Sequence, residues 1–177
     1  KEFEVFKKSG TKNYGAGAGS CAHVSTSELV ASQEDDPQGI AFSKSGEKMF
    51  ILGLTGKDVN EYTLTGAYCI GTASFVDSFS VASQEDSPTG ISFDKSGEKM
   101  FIVGYNGGKV NEYTLGTAWD VSTASFVDAF DISSNETDVM GIEFSKSGEK
   151  MFIVGADGVD VNEYTLGTAW DVSTASF

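Results

Sequence analysis

The chain has 177 residues, of which 40% are hydrophobic and 21% charged, a composition typical of a globular domain rather than of a disordered or fibrous chain. Its formal net charge is −14 and all 12 basic residues are lysine, so it lacks the basic footprint and the arginine contacts of a nucleic-acid-binding protein. The same charge argues against docking on an anionic membrane, and no apolar run reaches the roughly 20 residues that cross a bilayer.

The first segment in chain order, residues 1–27, is predicted to be a degenerate copy of a unit that recurs later. Its Phe6–Tyr14 stretch aligns with the start of the later units, but the glycine-rich run Gly15–Ser20 stands where a strand is expected. The segment also contains Cys21, which could pair with Cys69. Two cysteines are too few to define a disulfide framework, so the pairing stays open.

Three full units follow, and their motifs recur every 51 residues without an insertion or deletion. The motif Ser-Gly-Glu-Lys-Met-Phe, for example, begins at Ser45, Ser96 and Ser147. A period near 50 residues is typical of folds that are built from repeated supersecondary units. The phase of the repeat predicts units at residues 28–78, 79–129 and 130–177.

Each unit is predicted to form four short antiparallel strands. In the second unit, the alternation in Gly90–Phe93 predicts a first strand, and the apolar run Met100–Gly104 predicts a second strand that is covered on both faces. Lys109–Leu115 is rich in β-forming residues, and Phe126–Ile132 gives a fourth strand after a longer loop. Four strands in a unit of this length are typical of a β-propeller blade, and a β-solenoid is the alternative.

A family resemblance rests on the first two strands of the unit. The segment Pro88–Gly104 resembles the Pro-x-Gly-Ile-Ala-x-Ser-x-Asp-Gly-x-x-x-Tyr-Val pattern of the YVTN/NHL-like propeller superfamily, and Pro37–Gly53 matches equally well. The third unit departs from the pattern with Val139 and Met140 in place of Pro-x, and all three units replace the Asp of the Asp-Gly turn with Ser. The resemblance implies an all-β propeller fold. Such families include surface-layer proteins, ligand-binding modules and lactonase-type enzymes.

The repeat predicts about three and a half blades, because the first unit is degenerate and the last, residues 130–177, is predicted to lack its outer strand. Known propellers close with at least four blades, and an open arc would expose strand edges and blade faces. Three explanations stay open. The chain is part of a longer array, or copies of it complete a ring as a homo-oligomer, or it closes alone as a distorted four-bladed ring.

Acidic residues recur in the loops that join successive units, on one predicted face of the propeller. Their oxygens could bind a divalent cation such as Ca²⁺, whereas the alternative is that they are solvated turn residues. The candidate metal ligands are Asp35, Asp36, Glu85, Asp86, Glu136 and Asp138. No other cofactor is predicted.

Two further kinds of residue recur at the same place in each unit. Aromatic residues in the long loop before the fourth strand, Tyr68, Trp119 and Trp170, could stack on sugar rings or fill the gap between blades. A glutamate within the third strand could line a channel, satisfy backbone groups or face solvent at a blade edge. These glutamates are Glu61, Glu112 and Glu163.

Uniformity of the units favours a binding or structural role over catalysis, because one reaction centre normally needs one arrangement of residues. The leading hypothesis is a non-enzymatic β-propeller module, extracellular or virion-associated, that acts through repeated loops and self-assembly. Its expected partners are further blades or copies of the chain, a glycan or a protein surface. The alternative is a lactonase-like hydrolase that uses a divalent cation on the acidic loop face.

Overall fold

The computed structural model describes residues 30–177, so the degenerate unit at 1–27 and Cys21 lie outside the described residues. Three antiparallel sheets occupy the described part of the chain, and in each the strands pair in chain order. Blade 1 contains β1 (Pro37–Phe42), β2 (Lys48–Gly53), β3 (Asp58–Leu64) and β4 (Ala73–Ser80). Blade 2 contains β5 (Pro88–Phe93), β6 (Lys99–Gly104), β7 (Lys109–Leu115) and β8 (Ala124–Asp131). Blade 3 contains β9 (Val139–Phe144), β10 (Lys150–Gly155), β11 (Val161–Leu166) and β12 (Ala175–Ser176).

These sheets confirm the predicted four-stranded antiparallel unit. In blade 3, which was predicted to lack its outer strand, the two residues of β12 pair with β11 and begin that strand. The outer strands β4 and β8 continue past positions 78 and 129, where the repeat phase divides the units, because a sequence period does not fix where a strand ends. The long loop before each outer strand contains a single turn of 3-10 helix, which the sequence did not predict. These turns are Ile70–Thr72, Val121–Thr123 and Val172–Thr174. No helix within residues 30–177 is long and apolar enough to cross a membrane.

The first strands of the blades, β1, β5 and β9, contact one another in chain order. Their close approach explains the glycine of the Pro-x-Gly-Ile motif. A Cβ placed on Gly90 would lie 2.7 Å from Cγ2 of Val103 and 3.0 Å from Cα of Gly141 in the next blade. Beside it, the Thr89 hydroxyl donates a 2.6 Å hydrogen bond to the carbonyl oxygen of Val139. Glycine at this position therefore lets two backbones meet.

The hydrophobic core lies between the blades rather than within any one of them. On β6, Met100 and Ile102 pack against blade 1, while Phe101 and Val103 pack against blade 3. All four side chains are completely buried. Because burial of one such side chain contributes about 1.5–3 kcal/mol, each blade gains much of its stability from its neighbours. This arrangement confirms the prediction of a second strand that is covered on both faces.

Within residues 30–177, blade 3 is covered on one face only. Met151 and Ile153 of β10 are buried against blade 2. On the opposite face, Val154 is 44% exposed and Val161 of β11 is 65% exposed. The same alternation of side chains therefore gives a core on one side and an open apolar surface on the other.

Candidate functional site

A lysine–glutamate ion pair joins blade 1 to the long loop of blade 2. Phe50 and Glu61 are directly opposite in the β2–β3 register, which places Lys48, Phe50 and Glu61 on the face toward blade 2. Lys48 Nζ lies 2.6 Å from Glu61 Oε1 and donates a second hydrogen bond, 2.8 Å long, to the carbonyl oxygen of Trp119. The other carboxylate oxygen, Glu61 Oε2, accepts a 3.0 Å hydrogen bond from the backbone N–H of Val121. We call this pair, which binds a carbonyl and an N–H of the next blade, a clamp.

Blade 2 carries a second clamp with the same geometry. Lys99 Nζ lies 2.6 Å from Glu112 Oε1 and donates to the carbonyl oxygen of Trp170, also at 2.6 Å. Glu112 Oε2 accepts a hydrogen bond of 2.9 Å from the N–H of Val172. The two glutamate side chains are 1% and 3% exposed, so each carboxylate is buried with both its oxygens bonded. Of the roles open to these recurring glutamates, blades 1 and 2 use them to satisfy backbone groups across a blade interface.

Blade 3 forms the ion pair without the neighbouring loop. Lys150 Nζ bonds Glu163 Oε1 and also donates to the hydroxyl of Thr165, while the two charged side chains are 43% and 53% exposed. No loop lies over this pair in the part of the chain that the structure describes. The pair is therefore already assembled, and the second oxygen of Glu163 accepts no backbone N–H from the described residues.

The recurring glutamates were identified from the sequence, but their lysine partners were missed. A lysine recurs thirteen positions before each glutamate, as in Lys48 and Glu61, and the two lie on strands that were predicted to pair. Opposite charges that recur together on adjacent strands were the signal that could have identified the clamp.

Two of the three candidate ligand-binding aromatics lie within the interfaces. The Trp119 ring centroid is 5.3 Å from that of Phe93 in its own blade and 6.2 Å from that of Phe50 in blade 1. The Trp119 backbone has a φ of 63°, and its ring covers Gly97, where an added Cβ would lie 2.2 Å from a ring atom. Trp170 repeats this packing in the next interface.

Tyr68, the third candidate aromatic, has a different environment. Its backbone adopts the same left-handed conformation, with a φ of 59°, and its ring packs against Phe42 at a centroid distance of 5.4 Å. The side chain is nevertheless 57% exposed, whereas Trp119 and Trp170 are only partly exposed. Of the three candidate aromatics, Tyr68 is therefore the most exposed.

Two of the six candidate metal ligands, Glu85 and Glu136, are buried and turned toward the backbone, as is the equivalent Glu34 in blade 1. Glu34 Oε1 accepts the N–H of Asp36 at 2.7 Å, and Glu34 Oε2 accepts the N–H of Gly56 at 2.8 Å. This carboxylate therefore ties the loop between units to the β2–β3 turn. A Cβ on Gly53 would lie 1.7 Å from Glu34 Oε2, which explains the glycine that ends the second strand.

Glu85 is the least well bonded of these buried carboxylates. Its Oε1 accepts the N–H of Ser87 at 3.0 Å, but its buried Oε2 accepts no hydrogen bond from the described part of the protein. Burial raises the pKa of the Glu85 carboxyl above its usual value, and the bond from Ser87 opposes that rise only in part. Burial also raises the pKa of the Tyr113 hydroxyl, and the Glu85 charge adds to that effect.

The four aspartates among the candidate metal ligands are more exposed. Asp36 Oδ1 accepts a hydrogen bond from Gln38, and Asp86 Oδ1 accepts one from Ser87. Asp35 is exposed, and Asp138 is partly exposed with its N–H bonded to Glu136. Within residues 30–177, no three acidic, histidine or cysteine side chains converge in a geometry that could hold an ion. Cation binding at these loops stays a prediction.

Cys69, the other cysteine of interest, is buried beside the loop of blade 1 and is not a free thiol. Its candidate partner, Cys21, lies outside the described residues.

Comparison with known proteins finds similarity in structure but not in sequence. No family model and no curated protein matches the chain. A periplasmic gluconolactonase from Pseudomonas aeruginosa superposes with a TM-score of 0.59 at 13% identity, over 80% of this chain and 39% of that one. A proposed 6-phosphogluconolactonase from Bacteroides uniformis gives a TM-score of 0.57 at 12% identity, over 79% of this chain and 39% of that one. The β-propeller domain of Cps50 (Swd1) from Myceliophteria thermophila gives 0.52 at 10% identity, over 72% and 39%.

The chain spans about two fifths of the length of each of these structures. At such low identity the likeness establishes the fold alone, and it does so for lactonase-type and other propellers alike. Together with the three four-stranded sheets, it shows that this chain is a β-propeller repeat protein that forms part of a propeller.

Proposed function

We propose that this protein is a non-enzymatic β-propeller module that acts as a binding or structural scaffold, through its repeated loops and by self-assembly. The observation that carries the proposal is the use of its recurring charged residues. Glu61 and Glu112 bind the backbone of the next blade, and Glu34 and Glu136 bind the backbone of their own loops. The repeated carboxylates thus support architecture, and they leave the loops and outer surfaces for contacts with partners.

The outer strands offer one such surface. On β4 and β8, the adjacent residues Phe75 and Val76 are 45% and 50% exposed, and their equivalents Phe126 and Val127 are 43% and 50% exposed. Each apolar pair is followed by an exposed aspartate, Asp77 or Asp128, in the arrangement that limits unwanted pairing at an edge strand. Identical patches on successive blades favour a partner that itself repeats, such as a polymer, a glycan or an extracellular or virion surface.

Tyr68 provides a test of the glycan form of the proposal. We expect Tyr68→Ala to abolish retention on an immobilised polysaccharide that the unmodified chain binds, because an exposed ring can stack on a sugar. The matched control is Tyr105→Ala, which removes an exposed tyrosine, 38% accessible, from a different turn. If polysaccharides and repeated protein surfaces both fail to retain the chain, and it remains a monomer at all concentrations, the proposal is overturned.

A lactone hydrolase is the second candidate, and the structural likeness to a periplasmic gluconolactonase is the observation that favours it. In this form, the exposed aspartates on the acidic loop face would hold a divalent cation. It predicts a tightly bound ion in the purified protein and hydrolysis of gluconolactone that is lost on chelation and on Asp86→Asn. If neither a stoichiometric ion nor ion-dependent hydrolysis is measured, this candidate is rejected.

A further inference from the structure

Blade 3 presents an unfilled copy of the surface with which blades 1 and 2 hold their neighbours. We propose that this surface, formed by Lys150, Phe152, Val154, Val161 and Glu163, binds a further blade of the same 51-residue repeat, and that the Lys150–Glu163 pair clamps the backbone of its incoming loop. The proposal rests on the proposed function, because it names the partner and the surface through which the module assembles.

The apolar part of this surface has buried equivalents in both other blades. Phe50, Leu52 and Val59 of blade 1 are 0% exposed beneath blade 2. Their counterparts in blade 2 are equally buried beneath blade 3; these are Phe101, Val103 and Val110. In blade 3 the corresponding residues instead line an open apolar trough of about 460 Å³ beside β9. In both internal interfaces, therefore, the equivalent face is covered by the next blade of the repeat.

The polar part of the surface, the Lys150–Glu163 ion pair, is already formed before any loop binds. In the internal interfaces, the lysine ammonium donates a hydrogen bond to a carbonyl oxygen of the next blade, and the second glutamate oxygen accepts the N–H located two residues further on. Lys150 and Glu163 are already paired, so a new loop needs only to displace water from exposed side chains. Docking would convert this exposed pair into a buried one whose charges are fully hydrogen-bonded, as in the first two blades.

The incoming loop is defined by chemistry that the chain shows twice. It supplies a carbonyl from an aromatic residue at positive φ, then an aspartate that caps a 3-10 turn, then the N–H of a valine. Asp120 and Asp171 each accept the N–H of the serine two residues later, which keeps the loop in shape. The aromatic ring of such a loop would lie against Phe152, as Trp119 lies against Phe50.

A further blade fits this surface better than does the first blade of a second copy. Head-to-tail docking of copies would require blade 1 to offer the face that contains Met49 and Ile51. Those residues are only 3% and 6% exposed, and Val30, Phe42, Ile70 and Ala73 pack against their cluster. A blade whose equivalent methionine and isoleucine are free is the partner that matches the trough.

The experiment extends the 177-residue chain by a copy of residues 76–126, appended after Phe177 in the phase of the repeat. The readout is the rate at which an amine-reactive reagent modifies Lys150, followed by mass spectrometry together with amide exchange of β10 and β11. We expect the extension to slow modification of Lys150 by about tenfold, to a rate near that of Lys99, and to protect both strands. Glu163→Gln in the extended chain should restore much of the reactivity.

The matched control is the same extension with Val121→Pro in the appended copy. Proline is tolerated at the first position of a helical turn but lacks the N–H that Glu163 would bind, so Lys150 should again become reactive. A second extension, made from residues 127–177, tests whether the result depends on the particular blade that is appended. If Lys150 is as reactive in both extended chains as in the 177-residue chain, even because the appended unit fails to fold, the proposal is overturned.

The unextended chain tests whether a second copy, rather than a further blade, occupies the surface. If Lys150 becomes protected as the concentration of the 177-residue chain rises, in step with dimer formation, a second copy is the occupant and the proposal is wrong. Hydrolysis of gluconolactone by the same chain would refute the proposed function but would not alter the protection of Lys150. The two failures are therefore measured separately.

Discussion

Blade 2 and blade 3 carry nearly the same residues on their central strands, yet one is sandwiched and the other is open. Val103 is completely buried on β6, whereas its equivalent Val154 is 44% exposed on β10. The side chain of Glu112 is 3% exposed, whereas that of Glu163 is 53% exposed. Since the local sequence is almost constant, the following blade causes the difference. Comparing the two blades therefore shows how much burial a neighbouring blade provides to the same residues.

The largest expected loss of stability distinguishes the clamp of blade 2, which binds the next loop, from the exposed Lys150–Glu163 pair of blade 3. Glu112→Ala should lower the free energy of unfolding by about 3 kcal/mol, because it leaves the Lys99 ammonium and the Val172 N–H without their partner inside an interface. Glu163→Ala, the same change on an exposed pair, should cost at most about 0.5 kcal/mol. Urea unfolding, followed by tryptophan fluorescence, measures both. Equal losses would show that the clamp derives nothing from the loop.

The first strands of blades 2 and 3, β5 and β9, should show the same contrast with a smaller loss of stability. Gly90→Ala introduces a Cβ at 2.7 Å from Val103 and at 3.0 Å from the backbone of Gly141, so we expect a loss of about 2 kcal/mol. At Gly141, the nearest atom to a new Cβ is Cγ1 of the exposed Val154, at 3.2 Å. Gly141→Ala should therefore change the free energy of unfolding by less than about 0.5 kcal/mol. Thermal denaturation of the two variants distinguishes these outcomes, and a large loss at Gly141 would mean that a further strand covers it.

The turn between the second and third strands of blade 3 contains a residue that local sterics disfavour. Val159 has a φ of 54° and is 88% exposed, while blade 2 has Gly108 at the same place with a φ of 52°. Val159→Gly should raise the free energy of unfolding by about 1 kcal/mol, because a β-branched residue is strained in this conformation. Lys57→Gly is the control, since it has a φ of 51° but no β-branch, and its gain should be smaller. Chemical denaturation tests the order of the two gains.

The smallest expected effect concerns the buried carboxylate of blade 2. Because the pKa of Glu85 is raised in the folded protein, the folded state binds its proton more tightly than does the unfolded state. The contribution of Glu85 to stability is therefore greatest below its unfolded pKa and is lost as pH rises through the higher folded pKa. Glu85→Gln should remove this fall, whereas Glu34→Gln should destabilise the protein at neutral pH by weakening two backbone hydrogen bonds. Unfolding curves from pH 4 to 7 test the prediction, which fails if Glu85→Gln leaves the pH dependence unchanged.

Much of the fold could be predicted because its causes are local and repeated. The alternation in Gly90–Phe93, the apolar run at Met100–Gly104 and the turn between them specify antiparallel strands, and the period specifies that the unit recurs. The roles of the candidate site residues were harder to predict from the sequence. Trp119 and Tyr68 occupy equivalent positions in the repeat, yet one ring is enclosed between blades and the other is exposed. No pattern within a single unit distinguishes them, because the difference arises from the neighbouring sheet.

The glutamates illustrate the same limit. The loop carboxylates at Glu85 and Glu136 recur like ion ligands in sequence, but their side chains turn inward because glycines at the end of the second strand leave room for them. The sequence by itself determined the repeated unit and its strands, since these depend on periodicity and turn chemistry. Only the tertiary structure decided which recurring charges are buried, paired or open. Burial and hydrogen bonding depend on what the next blade places against them, and a repeated sequence presents the same residues whether or not that blade is there.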